Sequence, residues 1–362
     1  MATGRVKVEK IGGKSTATGC FSKYPLKFIL PRKVGPVGTD AVWIYSITYG
    51  GGIVSVCLSL SRSIDRCRSD VRIADTIPCL PLNPRNPKLF SVSGASNLEA
   101  CFVYCENREI YASCLRICMQ GDTISCEFTI GNGCIAVLTT QASTKVYKAM
   151  GSKCSEQSLE ARIGRGALFV VIPDPVTCFS TARYFQKQIF RMASDSNLVV
   201  VDWITSGRHA NGEKWDFELY KSINNVYLDG EDDDQPLFLD TVLLEKGNIR
   251  SIAERMQDYQ TIAMVIIFGT KLKEIQNRVQ DSVKKIMSEQ LHISSAIWRR
   301  RTESSSRPGL AKPEFIASCS TFGPEGKGMV IRIASESTES VYDFLRRQLA
   351  GIEPLIGQSP YP

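Results

Sequence analysis

The stretch LVVVDWITSGRHANGE, residues 198–213, carries the clearest structural signal in the sequence. It opens with four apolar residues, three of them β-branched, which predict a strand buried on both faces. Asp202 follows inside the same apolar run, where an ionised carboxylate costs roughly several kcal/mol unless it is paired, hydrogen-bonded or solvated. A Ser-Gly turn ends the strand and brings three polar side chains close together, namely Arg208, His209 and Glu213. The simplest interpretation is an aspartate near a strand end that Arg208 or a backbone amide satisfies.

Composition and charge are those of an ordinary globular protein. The 362 residues are 43% hydrophobic and 22% charged, with a net charge of +7, and a chain of this length can bury a sizeable core. The first ten residues are polar and charged, so no secretory signal is expected, and the apolar run 262–268 is too short to span a bilayer. Thirteen cysteines form no zinc-type CxxC pairs. We expect reduced thiols and a cytoplasmic protein with no membrane partner.

Short alternating strands dominate the sequence up to about residue 250. They include residues 122–130, closed by the Gly-Asn-Gly hairpin turn 131–133, and a regular series of further strands with no helices between them. This pattern predicts a mainly β fold of coiled or stacked, β-helix-like sheets. Residues 251–362 follow a β-α-β-β-α order, which predicts a small α+β segment with a flexible linker at 299–312. The Arg299–Arg301 cluster at the start of that linker lacks stacking aromatics, so no nucleic-acid partner is expected.

Residues 56–120 break this pattern. They contain seven of the thirteen cysteines and a proline-rich run, and neither helical nor strand periodicity persists there for more than a few residues. A loop of this length inside a compact domain is uncommon. The predicted organisation is therefore a β-rich core of residues 1–55 and 121–250, interrupted by an inserted loop or disordered segment.

A second acid shows the same anomaly as Asp202. Asp240 lies in the apolar strand 237–244, and if both acids face one interior they would form a polar cleft or passage. One outcome is a glycan hydrolase of β-helix type with Asp202 and Asp240 as acid and base. Another is a transit path for a divalent cation such as nickel, which carboxylates bind more weakly than His or Cys. A third is two acids at strand ends with local basic partners. The sequence has no nucleophile motif, phosphate-binding loop or HExxH motif, and only two histidines.

Four motifs resemble the plant-type form of the urease accessory protein family UreD, called UreH in some bacteria. The resemblance covers roughly residues 5–55 and 121–357. The residues that carry it are Gly51-Gly52-Ile53-Val54; Thr139-Thr140 with Thr144-Lys145-Val146-Tyr147; Asp202-Trp203 with Gly207-Arg208 and Gly212-Glu213; and the strand 236–244.

This resemblance implies a non-enzymatic scaffold, or chaperone, that helps to load nickel into apo-urease. It also implies binding to the accessory protein UreF, which recruits the GTPase UreG, and docking to the urease apoprotein. The family is thought to pass nickel transiently through an internal polar channel. The matching channel positions here are Asp122, Thr144, Asp202 and Asp240. Two of them depart from the usual residue, because Asp240 stands where glutamate is usual and Thr144 where serine is frequent.

One departure from the family pattern is larger. The family motif Gly-Gly-x-x-(Gly/Ser)-Gly-Asp is interrupted here after Ser55 and resumes only at Gly121-Asp122. Removing residues 56–120 restores it, and the segment begins with valine and ends with glutamine, whose codons can supply the GT and AG ends of an intron. We therefore interpret residues 56–120 as a retained intron read in frame, and predict that this form keeps the fold but delivers nickel less well.

Overall fold

The computed structural model describes residues 2–31, 34–36, 38–48, 71–73, 103–105, 123–149, 153–208, 211–229, 235–247, 249–301 and 312–361. Its contacts divide the chain into two compact units, Met1–Thr48 with Gln120–Pro362, and Tyr49–Met119. In the second unit, strands β5 (Val71–Ile73) and β6 (Val103–Cys105) form an antiparallel pair. All further elements belong to the first unit. The Gly51-Gly52 and Gly121-Asp122 motif positions, and residues 302–311 of the predicted linker, lie outside the described residues.

The first unit is built from two large β-sheets. Sheet A runs in the order β16-β15-β13-β10-β7-β1-β2. Its strands are β1 (Gly4–Ile11), β2 (Lys14–Ser22), β7 (Thr123–Ile130), β10 (Ser155–Ile163), β13 (Arg183–Met192), β15 (Leu219–Leu228) and β16 (Gln235–Glu245). Sheet B runs β18-β19-β17-β14-β11-β8-β4-β3, with β9 and β12 attached beside β14. Its strands are β3 (Leu26–Ile29), β4 (Ala41–Thr48), β8 (Ile135–Thr140), β9 (Thr144–Val146), β11 (Leu168–Val171), β12 (Val176–Cys178), β14 (Asn197–Thr205), β17 (Thr261–Phe268), β18 (Phe315–Phe322) and β19 (Gly328–Ser335).

The central strands of both sheets are parallel, because the chain coils. From β7 to β15 it passes repeatedly between sheet A and sheet B, so each strand stacks in register on a strand one coil away. Strand β13 shows the sequence basis, since its side chains alternate between buried and half-buried along all ten residues. The mainly β, stacked-sheet prediction is confirmed, and the arrangement resembles a β-solenoid.

Strand β14 is buried on both faces, as its apolar sequence predicts. Leu198 and Val200 face the core between the sheets, where Phe128, Phe169 and Phe190 pack with ring centroids 5.6 and 6.4 Å apart. The alternate side chains, including Trp203, face a second core between sheet B and the C-terminal helices. The strand therefore forms the wall between two hydrophobic cores, which fixes the face on which Asp202 lies.

The C-terminal part follows the predicted β-α-β-β-α order and extends sheet B. Its helices are α1 (Ile252–Met256), α2 (Lys273–Arg301), α3 (Thr338–Leu349) and α4 (Glu353–Ile356). Strand β17 pairs with β14, and β19 pairs with β17, so this part shares a sheet with the β-rich core. Helix α2 ends at Arg301 and so includes the first three residues of the predicted linker, because arginine is a strong helix former. Within the described residues, no helix is long and apolar enough to cross a membrane.

Candidate functional site

Asp202 lies on β14 with its side chain toward sheet A. The residue is only 7% exposed. Its Oδ2 accepts hydrogen bonds from Ser222 Oγ at 2.6 Å and Asn224 Nδ2 at 2.7 Å, and its Oδ1 accepts one from Gln186 Nε2 at 3.1 Å. These donors are neutral side chains of sheet A, and they take the place of the arginine or backbone amide that the simplest interpretation supplied. The carboxylate is thus satisfied without a directly bonded cation.

The period-2 pattern of two sheet A strands brings these donors together. In β13 the glutamines 186 and 188 share the buried face, and in β15 Ser222 and Asn224 do the same. The parallel register places Gln186 beside Ser222 and Gln188 beside Asn224. Gln188 Nε2 donates to Asn224 Oδ1 at 3.0 Å, which turns the Asn224 amide so that its NH₂ group points to Asp202. These four side chains, with Asp202 and Asp240, form the feature that we name the polar lane.

Burial dominates the electrostatics of Asp202. Desolvation raises the pKa of its carboxyl group, and the nearby Asp240 raises it further, whereas the hydrogen bonds from Ser222, Asn224 and Gln186 lower it. The Tyr220 hydroxyl lies 3.5 Å from Oδ1, and burial followed by the charge of Asp202 raises the pKa of that phenol. The polar lane therefore holds a carboxyl group whose charged form burial disfavours and three neutral hydrogen-bond donors stabilise.

Asp240 lies at the outer end of the polar lane, on the edge strand β16. Its register partner on β15 is Asn224, so both side chains are on the same face of sheet A. Asp240 Oδ1 pairs with Arg332 Nη2 of sheet B at 2.5 Å. Its Oδ2 is buried and, within the part of the chain that the structure describes, has no hydrogen-bond partner. The structure thus brings Asp202 and Asp240 to the same space between the sheets, as the sequence pattern of two acids in apolar strands had suggested.

Thr144 lies farther from this pair, and Asp122 falls outside the described residues. Thr144 begins β9, is half-buried, and stands opposite Val176, which in turn stands opposite Ile204. Because strands are about 4.8 Å apart and rise about 3.3 Å per residue, the backbones of Thr144 and Asp202 are separated by on the order of 12 Å. Thr144 shares the inward face of sheet B with Asp202 but does not contact it.

Of the remaining motif residues, four form a surface loop after β14, whereas Lys145 lies on β9 and Tyr147 directly follows it. Arg208 pairs with Glu213, its Nε lying 3.0 Å from Glu213 Oε2, and its guanidinium lies 4.1 Å from the centroid of the Phe179 ring. The Tyr147 ring packs edge-on against Phe179 at 4.7 Å. Gly207 and Gly212 adopt positive φ angles, which the turn needs and which glycine allows. Lys145 is exposed, and His209 lies outside the described residues. This loop stabilises the end of β14, since the ion pair and the contact of Arg208 with the Phe179 ring fix its position.

A hydroxyl-lined cleft of about 250 Å³ lies on the other face of sheet B. Its lining includes Thr177, Thr205, Thr338 and Tyr342, and the Thr177 and Thr205 hydroxyls are 2.8 Å apart. Thr205 follows Asp202 by an odd number of residues, so its side chain points to the opposite face of the sheet. The cleft is thus separated from the polar lane by the sheet itself.

The arrangement around Asp202 does not fit acid–base catalysis on a glycan. A glycosidase needs carboxyl oxygens that are free to meet the glycosidic oxygen and a water or sugar carbon. Both Asp202 oxygens are occupied by buried hydrogen-bond donors. In the described part of the chain, no three His, Cys, Asp or Glu side chains are grouped to hold a metal ion. Any metal bound in the polar lane would therefore take oxygen ligands from one or two carboxylates and their neutral neighbours.

Some residues of the polar lane could have been found from the sequence and were missed. The donors Gln186 and Ser222 share a strand parity with buried aromatic residues, Tyr184 and Tyr220, which predicts an inward direction for the polar side chains too. Arg332 interrupts the apolar run of β19 just as Asp202 interrupts that of β14. Each of these polar residues lies two positions after a buried hydrophobic residue, and this spacing predicts its inward direction.

The fold and the polar lane define the chain as a β-solenoid-like protein with a desolvated internal carboxylate. Residues 118–362 match the profile of a family described as "UreD urease accessory protein". "Urease accessory protein D" of Arabidopsis thaliana is 64% identical over 361 residues, covering 100% of each chain. The protein of the same name in Oryza sativa subsp. indica is 48% identical over 361 residues, covering 100% of this chain and 95% of the relative. "Urease accessory protein UreD" of Anaeromyxobacter sp. is 26% identical over 358 residues, covering 99% and 88%. The chain belongs to the UreD family of urease accessory proteins, as its motifs indicated.

Proposed function

We propose that this protein is a non-enzymatic scaffold of urease maturation that passes nickel through the polar lane into apo-urease. Membership in a family of urease accessory proteins supports the role in urease maturation. The observation that carries the passage is Asp202, a buried carboxylate with neutral donors that lies in one inter-sheet space with a second acid, Asp240.

The chemistry of the polar lane fits a cargo that must leave again. Carboxylate, hydroxyl and amide oxygens bind nickel more weakly than imidazole or thiolate does. A path lined by such groups lowers the barrier for a divalent cation without trapping it, since the ion trades water ligands for a few oxygens at a time. Nickel is thus a transported substrate here, and Asp202 supplies the negative charge that attracts it.

The proposed partners follow from the role. We expect the protein to bind UreF, to reach the GTPase UreG through UreF, and to dock the urease apoprotein. We place this assembly in the cytoplasm, since six cysteines of the described residues, from Cys20 to Cys319, are free thiols, as expected in a reducing compartment.

The segment 56–120 remains, in our proposal, a retained intron that impairs delivery. Two observations support it. The match to the family profile begins at residue 118. Residues Tyr49–Met119 form a compact unit of their own, separate from the rest of the chain. Amplifying the transcript across the Ser55–Gly121 junction should yield a shorter spliced product, and the finding of long products alone would contradict the interpretation. A form lacking residues 56–120 should restore urease activity in UreD-deficient cells better than the full chain does. Equal restoration by the two forms would exclude impairment.

Complementation of UreD-deficient cells tests the passage itself. The Asp202→Asn variant should still co-purify with UreF and urease, because Asp202 is buried, yet urease should contain less nickel. Asp195→Asn is the matched control, because it makes the same chemical change at an exposed residue just before β14. Urease that carries as much nickel with Asp202→Asn as with the Asp195→Asn control would contradict the proposed passage.

A further inference from the structure

The polar lane has an outer end, which Arg332 covers. In sheet A the register runs from Gln188 to Asn224 and on to Asp240 on the edge strand. In sheet B it runs from Asp202 through Met264 to Arg332. Register partners in neighbouring strands point to the same face, so both rows face the space between the sheets, and they meet at the Asp240–Arg332 pair.

The contact between Arg332 and Asp240 lies partly in solvent. It consists of a single hydrogen bond, from Arg332 Nη2 to Asp240 Oδ1, and not the two-pronged pairing that arginine and carboxylate can form. The Arg332 side chain is 52% exposed, whereas that of Asp240 is 11% exposed. The guanidinium can therefore turn into solvent without leaving a buried cation behind. Asp240 cannot follow it.

The second Asp240 oxygen provides an acceptor that the arginine does not use. Asp240 Oδ2 is buried and has no hydrogen-bond partner among the described residues, so its desolvation is not compensated by them. Its neighbour across the strands, Asn224, bonds to Asp202 Oδ2. A cation at this oxygen would thus meet one free carboxylate oxygen and would approach the hydrogen-bonded network of Asp202.

We propose that Arg332 is the exchangeable counter-ion that closes the outer end of the polar lane, and that a divalent cation enters or leaves by displacing its guanidinium from Asp240. This rests on the proposed function for the identity of the cargo. With the guanidinium in place, its positive charge repels a cation at Asp240 and neutralises the carboxylate that would attract it. With the guanidinium turned outward, Asp240 and Asp202 present two negative charges to the lane.

Equilibrium dialysis of the purified full chain against Ni²⁺ tests this role. Arg332→Gln should bind nickel about tenfold more tightly than wild type, a magnitude expected for removal of one partly screened positive charge beside a divalent ion. Arg332→Lys keeps the charge and should bind as wild type does. Arg5→Gln is the matched control, because Arg5 pairs with Glu127 on the surface of sheet A, away from the polar lane, and it should leave the affinity unchanged.

A purely structural role for Arg332 predicts a different result. In that case Arg332→Gln would lower the unfolding temperature and leave nickel affinity at the wild-type value, and such a result would overturn the proposal. Asp240→Asn provides a second variant that does not depend on the folding of the first. It keeps the arginine and removes the carboxylate, so nickel binding should weaken, and unchanged affinity would also overturn the proposal. If Arg332→Gln binds more tightly while Asp202→Asn leaves urease loading intact, the counter-ion role stands and the proposed passage fails.

Discussion

Substitutions of Asp202 by alanine and by asparagine should separate its charge from its hydrogen bonds. Alanine removes the acceptor for four buried donors, those of Ser222, Asn224, Gln186 and, at the longest distance, Tyr220. Since each orphaned buried donor costs about 1–3 kcal/mol, and the groups can partly rebond to one another, we expect a loss of about 3–5 kcal/mol. Asparagine keeps the volume and one acceptor oxygen while removing the cost of a buried charge, so we expect a change within about 1 kcal/mol.

Guanidinium unfolding followed by circular dichroism measures both variants against wild type. The pH dependence gives a second test. Burial raises the folded-state pKa of Asp202 above the usual 3.8, so the folded protein takes up this proton before the unfolded chain does. Wild type therefore gains stability as the pH falls through the folded pKa toward 3.8, by about 1.4 kcal/mol for each unit between the two pKa values. Asparagine takes up no proton and so does not gain this stability. The free energy of unfolding of Asp202→Asn relative to wild type should therefore fall as the pH is lowered from the folded pKa of Asp202 toward 3.8. Equal losses for alanine and asparagine, or a pH-independent difference, would refute the reasoning.

The surface loop and the buried thiols give two further predictions. Arg208→Ala removes the ion pair with the mostly buried Glu213 and the stacking on Phe179, so the free energy of unfolding should fall by about 1–2 kcal/mol; Arg208→Lys should recover less than half of it, and full recovery would show that charge alone suffices. Burial raises the pKa of the Cys126 thiol to about 12, whereas Cys20 is exposed, so iodoacetamide at pH 8 should label Cys20 at least about a hundredfold faster, as peptide mass spectrometry can measure. Similar rates for the two thiols would contradict the burial of Cys126.

Local patterns in the sequence predict much of the fold. Strand β14 follows from its run of β-branched residues, and β7 from its alternation, because each pattern reports the burial of consecutive side chains. The sequence pattern predicted the fold class, a mainly β fold of coiled or stacked sheets. The pairing order was not predicted, because a strand's neighbours depend on contacts that its own residues do not encode.

The candidate site was predicted only in part, for the same reason. Asp202 and Asp240 stand out because a charge in an apolar run is costly wherever it lies. The partners of Asp202 come from strands 16 to 22 residues away, and a glutamine or serine in an alternating strand looks the same whether it faces solvent or a buried carboxylate. Strand parity with neighbouring aromatic residues was the usable signal. Asp122 lies outside the described residues, and the predicted place of Thr144 in a nickel channel stays a prediction.

Nickel transfer between purified components tests the central claim most directly. The full chain, UreF, UreG with GTP, and apo-urease are mixed with limiting nickel, and the nickel bound to urease is measured over time. If nickel passes Asp202, the Asp202→Asn variant should load urease at least about tenfold more slowly than the Asp195→Asn control, because one buried charge that attracts a divalent ion is lost. It should still form the same complex. Equal loading rates, with the complex intact, would contradict a path through the polar lane.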